Sequence, residues 1–189
     1  MKHIFLLILS CLFFNFNTPA QKIAIKTNAL YDAAFQLPTF NAEINTGNYT
    51  SIELMVSYSP FKYGENKRWK AFILQPSFRY WLNDSHKGFF GSIHAQWGIY
   101  NLAKTKVIFG IMPDLKNFRY QGSLWGAGIG FGYRLPITKH FSTEFELGIG
   151  LTEFNYKKYK CSTCGNQKAH EIKHFMGPDK TAVNIVYQF

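Results

Sequence analysis

Charge is scarce in this chain: only 17% of its 189 residues are Asp, Glu, Lys or Arg, against roughly 25% in an ordinary soluble domain. Cysteine is scarcer still, with three residues in all, which argues against a disulfide-dense mini-protein. Beyond the first twenty residues no apolar run approaches the roughly 18 residues a helix needs to cross a bilayer. Mean hydropathy is slightly negative, so a helical membrane protein is not expected. Helical periodicity is missing too, since no segment after the N-terminus carries apolar residues at i, i+3, i+4 and i+7. Aromatic residues, by contrast, abound: 19 Phe, 11 Tyr and 4 Trp, far too many for a disordered chain. The length suits one domain.

The N-terminus reads as a targeting segment. Lys2 supplies a positive start, Ile4 to Phe14 form an apolar stretch broken by Ser10, and Thr18-Pro19-Ala20 places small residues before a cleavage point at Gln21. A lipoprotein reading around Cys11 would leave only about seven residues of apolar stretch. A membrane anchor is cut short by Asn15 and Asn17. The expected division is a signal peptide at 1–20 and a barrel domain at 21–189. Removing the first twenty residues deletes Lys2 and no acid, so the net charge falls from +10 to +9. Only Cys161 and Cys164 remain, in an oxidising compartment.

The mature chain alternates with period two. Phe40, Ala42 and Ile44 alternate with Asn41, Glu43 and Asn45, and Ile52, Leu54, Val56 and Tyr58 alternate with Ser51, Glu53, Met55 and Ser57. Phe72 to Tyr80, Trp125 to Arg134, Phe141 to Gly150 and Thr181 to Phe189 repeat the pattern; with Ile23–Asp32 and Gly88–Leu102 this makes eight strands. Periodicity alone fits a soluble sandwich as well as a membrane barrel. The connections alternate, however, between tight turns (Gly47-Asn48, Asn83–Lys87, Pro136–His140) and longer segments (Pro60–Arg68, Ala103–Gln121, Lys157–Pro178), as in bacterial outer-membrane barrels. Tyr31, Tyr58, Phe61, Trp69, Tyr80, Trp81, Tyr100, Phe141 and Tyr187 lie at strand ends, where interfacial girdles belong. The chain ends in a strand on Phe189. The expected fold is all-β: an eight-stranded antiparallel up-and-down transmembrane β-barrel in the outer membrane, monomeric, with no strand edge left to lipid.

Several segments carry a family resemblance. Ile25-Lys26-Thr27-Asn28-Ala29-Leu30-Tyr31-Asp32, Leu74-Gln75-Pro76-Ser77-Phe78-Arg79-Tyr80-Trp81 and Tyr120 to Gly128 resemble small secreted Bacteroidota proteins catalogued as domain of unknown function 3575. So do Cys161-Ser162-Thr163-Cys164-Gly165 and Gly177-Pro178-Asp179-Lys180-Thr181-Ala182. The resemblance spans essentially the whole mature chain. It implies an outer-membrane barrel, no catalytic residue, and fimbria-type surface assemblies as partners.

With the apolar face outward, the lumen receives Lys26, Asn28, Asn41, Glu43, Asn45, Glu53, Gln75, Ser77, Arg79, His94, Gln96, Arg134, Glu144, Glu146, Asn184 and Gln188. Four acids against three cations predict a hydrogen-bonded ionic plug, because an eight-stranded barrel is filled by its own side chains. Glu144 and Glu146 suit a shared arginine as well as acid/base work. The Gly126, Gly128, Gly130 and Gly132 ladder lies inside a strand and makes room for bulky neighbours such as Arg79 or Tyr100. Ser92 and His94 share a strand face, which with Glu144 or Glu146 raises the idea of a hydrolase triad; a hydrogen-bonded interior His is the simpler reading.

Cys161-x-x-Cys164 reads most simply as a disulfide in a tight turn; the alternative is a zinc site with His170 and His174, although only five residues separate the two pairs. The longer segments carry Lys62, Lys67, Arg68, Lys70, Lys104, Lys106, Lys116, Arg119, Lys157, Lys158, Lys160, Lys168, Lys173 and Lys180, against Glu65, Asp114, Glu171 and Asp179. Such a basic rim fits lipopolysaccharide phosphates or acidic glycans rather than nucleic acid, for which no recognition fold is present. The expected function is a non-enzymatic barrel, structural or adhesive, with outer-membrane lipid and lipopolysaccharide as partners. A lipid-modifying barrel enzyme is the runner-up. No catalytic, cofactor or metal residue is assigned.

Overall fold

Strong β-formers in alternation produce strands, and the strands close on themselves. The computed structural model describes residues 23–34, 36–63, 67–83, 86–103, 115, 118–160 and 167–189. The expected signal peptide, residues 1–20, and both Cys161 and Cys164 lie outside the described residues. The strands are β1 (Ile23–Asn28), β2 (Thr39–Asn45), β3 (Thr50–Tyr63), β4 (Lys67–Trp81), β5 (Gly88–Ala103), β6 (Arg119–Pro136), β7 (Phe141–Tyr159) and β8 (Gln167–Gln188), with a short helix α1 (Ala29–Ala34) after β1. Each pairs antiparallel with the next, and β8 returns to β1. This is an eight-stranded up-and-down barrel.

The register fixes its tilt. Partners followed round from Ala24 run Glu43, Glu53, Ser77, His94, Gly128, Gly150 and Gly177. Ala24 itself pairs with Gln188. The offset on β8 is 188 − 177 = 11 residues, one of which is an extra residue at a bulge. A net offset of ten residues at about 3.3 Å each, over eight strand spacings of about 4.8 Å, tilts the strands by roughly 40°, the usual slope of a barrel this size.

Three expectations about the strands change. The first strand stops at Asn28 rather than Asp32, because the Asn28 side chain ends it. Asn28 Oδ1 accepts hydrogen bonds from the Leu30 and Tyr31 N–H groups, capping α1. The same amide reaches β8, donating to the Thr181 carbonyl and accepting from the Val183 N–H. Second, two of the longer connections are largely strand: β3 continues to Tyr63, β4 begins at Lys67, and β7 and β8 pair out to Tyr159 and Gln167. Charged residues interrupt the apolar alternation of these segments (Lys62 and Lys67, Lys158 and Lys173), but the ladder pairing persists. Third, β8 carries a bulge where Gly148 pairs with Lys180 and Ile149 with Pro178. Pro178 has no N–H for the ladder, which favours a bulge there, and the extra residue reverses the facing of β8.

The apolar residues face out. Phe40, Ile52, Leu54, Phe78, Ile93, Trp97, Trp125, Ile129, Phe131, Phe145, Leu147, Ile149 and Leu151 are all exposed, whereas Lys26, Glu43, Glu53, Arg79, Arg134 and Glu144 are buried. The expected aromatic girdle is corrected in part. Tyr58, Phe61, Tyr80, Phe141 and Tyr187 do face outward. Trp81 and Tyr100 are buried in the interior, Trp69 packs against an interior cluster, and Tyr31 sits half-buried on α1. Strand parity points Trp69, Trp81 and Tyr100 inward, whatever their height.

Candidate functional site

The interior holds a charge cluster built from six strands. Lys26 comes from β1, Glu43 from β2, Glu53 from β3, Arg79 from β4 and Arg134 from β6, with Glu144 and Glu146 from β7. Each occupies an inward position of its strand, so the period of two alone brings them together across the lumen.

Arg79 is the hub. Its Nη1 donates to Glu144 Oε1 at 3.0 Å and to Glu43 Oε2 at 3.4 Å; its Nη2 donates to Glu53 Oε1 at 2.9 Å and Glu146 Oε2 at 2.6 Å. Glu144 and Glu146 thus share one arginine. Lys26 pairs with Glu43, with Glu53 at 2.6 Å and with Glu144 at 3.2 Å. Arg134 Nε donates to Glu144 Oε2 at 2.9 Å, and its Nη2 also reaches Glu43. Neutral groups fill the remaining acceptor sites: Ser51 Oγ donates to Glu43 and Ser92 Oγ to Glu146, both at 2.7 Å, and Asn184 Nδ2 to Glu144 at 2.9 Å.

The expected imbalance of four acids and three cations is corrected by Lys180. Read from sequence as a loop residue, it turns inward beside the β8 bulge and meets Glu146 Oε1 at 3.0 Å and Glu53 Oε1 at 3.4 Å. The cluster is therefore four carboxylates against four cations. Burying an ion costs several kcal/mol unless it is paired and hydrogen-bonded, and here each is. Asp179, the bulge residue itself, also faces in, where its Oδ2 lies 2.9 Å from His94 Nε2. Beneath the cluster Arg134 lies over the Trp81 ring and Arg79 over Phe90, at 4.5 and 4.6 Å.

The glycine ladder makes room, but for other neighbours than Arg79 or Tyr100. A Cβ on Gly128 would sit 2.6 Å from Asp179 Oδ2 and 2.8 Å from His94 Nε2, and one on Gly132 would run into the Phe90 ring. Ser92 and His94 share a face as expected, but their hydrogen bonds diverge, to Glu146 and to Asp179 respectively. His170 and His174 lie on β8 and meet β7: His170 Nε2 is 2.7 Å from Asn155 Oδ1, and His174 Nδ1 is 3.6 Å from Glu153 Oε2.

Towards the end remote from the termini the interior turns aromatic. Tyr100, Leu102, Leu115, Tyr120 and Tyr156 form a buried cluster with Trp69, Phe118 and Phe154 against it. Tyr156 Oη donates to Glu171 at 2.9 Å. Two of the basic residues there lie over rings: Arg119 over Tyr159 and Lys158 over Phe118, each at 4.2 Å. Lys104, Lys106 and Lys116 lie outside the described residues.

Sequence reasoning missed Lys180, Asp179, Trp81 and Phe90 as interior groups. Trp81 and Phe90 were legible, since both keep the parity of Arg79 and Ser92. Lys180 was legible too, since it keeps the parity of Ala182 and Asn184; Asp179 was not, because the bulge sets its facing. No curated protein and no solved structure matches the chain. The model of a family described as protein of unknown function (DUF3575) matches residues 3–189, so that this barrel with its ion-filled interior belongs to the DUF3575 family.

Proposed function

We propose that the chain is an integral outer-membrane protein with a structural or surface-interaction role and no catalytic one, its basic far end turned to the cell exterior. The observation that carries this reading is the inversion of the barrel, apolar outside and ionic inside. Water solvates an ionic exterior and an apolar core; a bilayer demands the reverse. The dimensions support it. Outward apolar residues run from Trp125 to Leu135 on β6 and from Phe141 to Leu151 on β7, ten steps each. At about 3.3 Å per residue and a tilt near 40°, ten steps rise about 25 Å, the height of the apolar band of outer-membrane barrels. Beyond that band β7 and β8 continue, lifting Lys157, Lys158 and Lys173 clear of it.

Flotation tests the reading. Refolded mature protein should rise with phosphatidylcholine vesicles in a density gradient, resist carbonate extraction, and migrate differently on gels before and after boiling. Protein that stays soluble without detergent and shows no gel shift would refute it.

A lipid-modifying enzyme is the second reading, favoured by one observation: His94 is paired with Asp179, its Nδ1 is buried without a hydrogen-bond partner, and Ser92 lies two residues away on the same face. Mass spectrometry of lipid A from deletion and overexpressing strains separates the two. Altered acylation would support the enzyme, and unchanged acylation would remove it.

A further inference from the structure

Just beyond the apolar band the outer wall carries a row that the ionic lumen does not account for. Lys70, Asn101, Gln121 and Lys157 are consecutive cross-strand partners on β4, β5, β6 and β7. Their parity is that of the outward residues Phe72, Ile99 and Trp125. The next row towards the band is Phe72, Ile99, Ser123 and Asn155. Both rows line one open cavity of about 600 Å³, and Tyr58 closes it on the β3 side.

The chemistry of the row is cation, amide, amide, cation. Neither lysine is ion-paired among the described residues. Asn101 Oδ1 is buried with no hydrogen-bond partner, so the row contains an acceptor waiting for a donor. Three strand spacings separate the lysines, about 14 Å, which matches a disaccharide bearing an anionic group at each end. The two amides between them suit its hydroxyls. On the band side, exposed Tyr58, Ile99 and Trp97 offer an apolar surface to acyl chains. The row climbs from Lys70 to Lys157 with the strand tilt, and the flexible lysine stems accommodate a headgroup lying obliquely.

We infer that this groove is a binding site for a phosphorylated glycolipid of the surrounding leaflet, its disaccharide headgroup held along Lys70, Asn101, Gln121 and Lys157 and its acyl chains on the apolar wall below. The inference rests on the membrane reading above.

The test uses refolded mature protein in phosphatidylcholine vesicles doped with bisphosphorylated lipid A, with lipid A stripped of both phosphates, or with phosphatidylglycerol. Lipid retained through mild-detergent extraction is read by native mass spectrometry. Wild-type protein should retain the bisphosphorylated form selectively. The Lys70→Gln/Lys157→Gln double variant should bind it roughly 30-fold more weakly, at about a factor of five per lysine near an anionic surface. Lys139→Gln, in the turn at the opposite end, should bind as wild type. Equal retention of the dephosphorylated lipid or of phosphatidylglycerol, displacement by inorganic phosphate alone, or an unaffected double variant would each overturn the site while leaving membrane insertion intact. Failure to float with any vesicle would overturn the membrane reading and this inference together.

Discussion

Replacing Arg79 by Met tests whether charge balance holds the lumen together. Met keeps most of the stem and removes the guanidinium, which contacts Glu43, Glu53, Glu144 and Glu146 and has no exposure to solvent. The cluster then holds four carboxylates against Lys26, Arg134 and Lys180, one buried negative charge in excess. Removing one partner of a buried pair costs about 3–5 kcal/mol, chiefly for the charge left behind. Arg79→Met should therefore lower the unfolding free energy by about that amount, measured by urea titration of refolded protein in vesicles with tryptophan fluorescence. Adding Glu146→Gln restores the balance at four minus one on each side. The double variant Arg79→Met/Glu146→Gln should regain about half of the loss or more. Arg79→Lys keeps the charge, loses the planar fork and should cost less than Arg79→Met. A double variant no more stable than Arg79→Met would refute the reasoning, because individual contacts rather than net charge would then decide stability.

Gly128→Val should destabilise the barrel by about 1–3 kcal/mol through crowding of His94 and Asp179, checked by the same titration. Asn28→Ala removes the cap of α1 and its link to β8 and should cost about 1–2 kcal/mol, with faster amide exchange at Leu30, Tyr31 and Val183. Single-channel recording of refolded protein should show essentially no steady conductance, since Lys26, Arg79, Arg134, Trp81 and Phe90 fill the lumen; stable ohmic steps would contradict a plugged interior. Replacing Cys161 and Cys164 by Ser should leave folding intact, as closing so short a loop contributes at most about 2 kcal/mol. Thiol labelling of envelope protein under denaturing, non-reducing conditions should find neither cysteine reactive.

The number of strands and the facing of most of their residues are legible in the chain alone, because a strand's side chains alternate whatever it pairs with. Parity alone places Lys26, Glu43, Glu53, Arg79, Arg134, Glu144 and Glu146 on one interior face, and the barrel interior holds them all. Three things were decided only by the closed structure. Which cation meets which acid depends on the register round the ring, and no single strand carries that information. The inward turn of Asp179 depends on a one-residue slip opposite Gly148, which reverses facing beyond it without a local sign other than Pro178. The end of β1 depends on Asn28 meeting both its own helix and Thr181 and Val183 on β8, residues more than 150 positions away in the chain. Alternation is a property of the chain as it runs; partnership, offset and interruption belong to the sheet once it has closed.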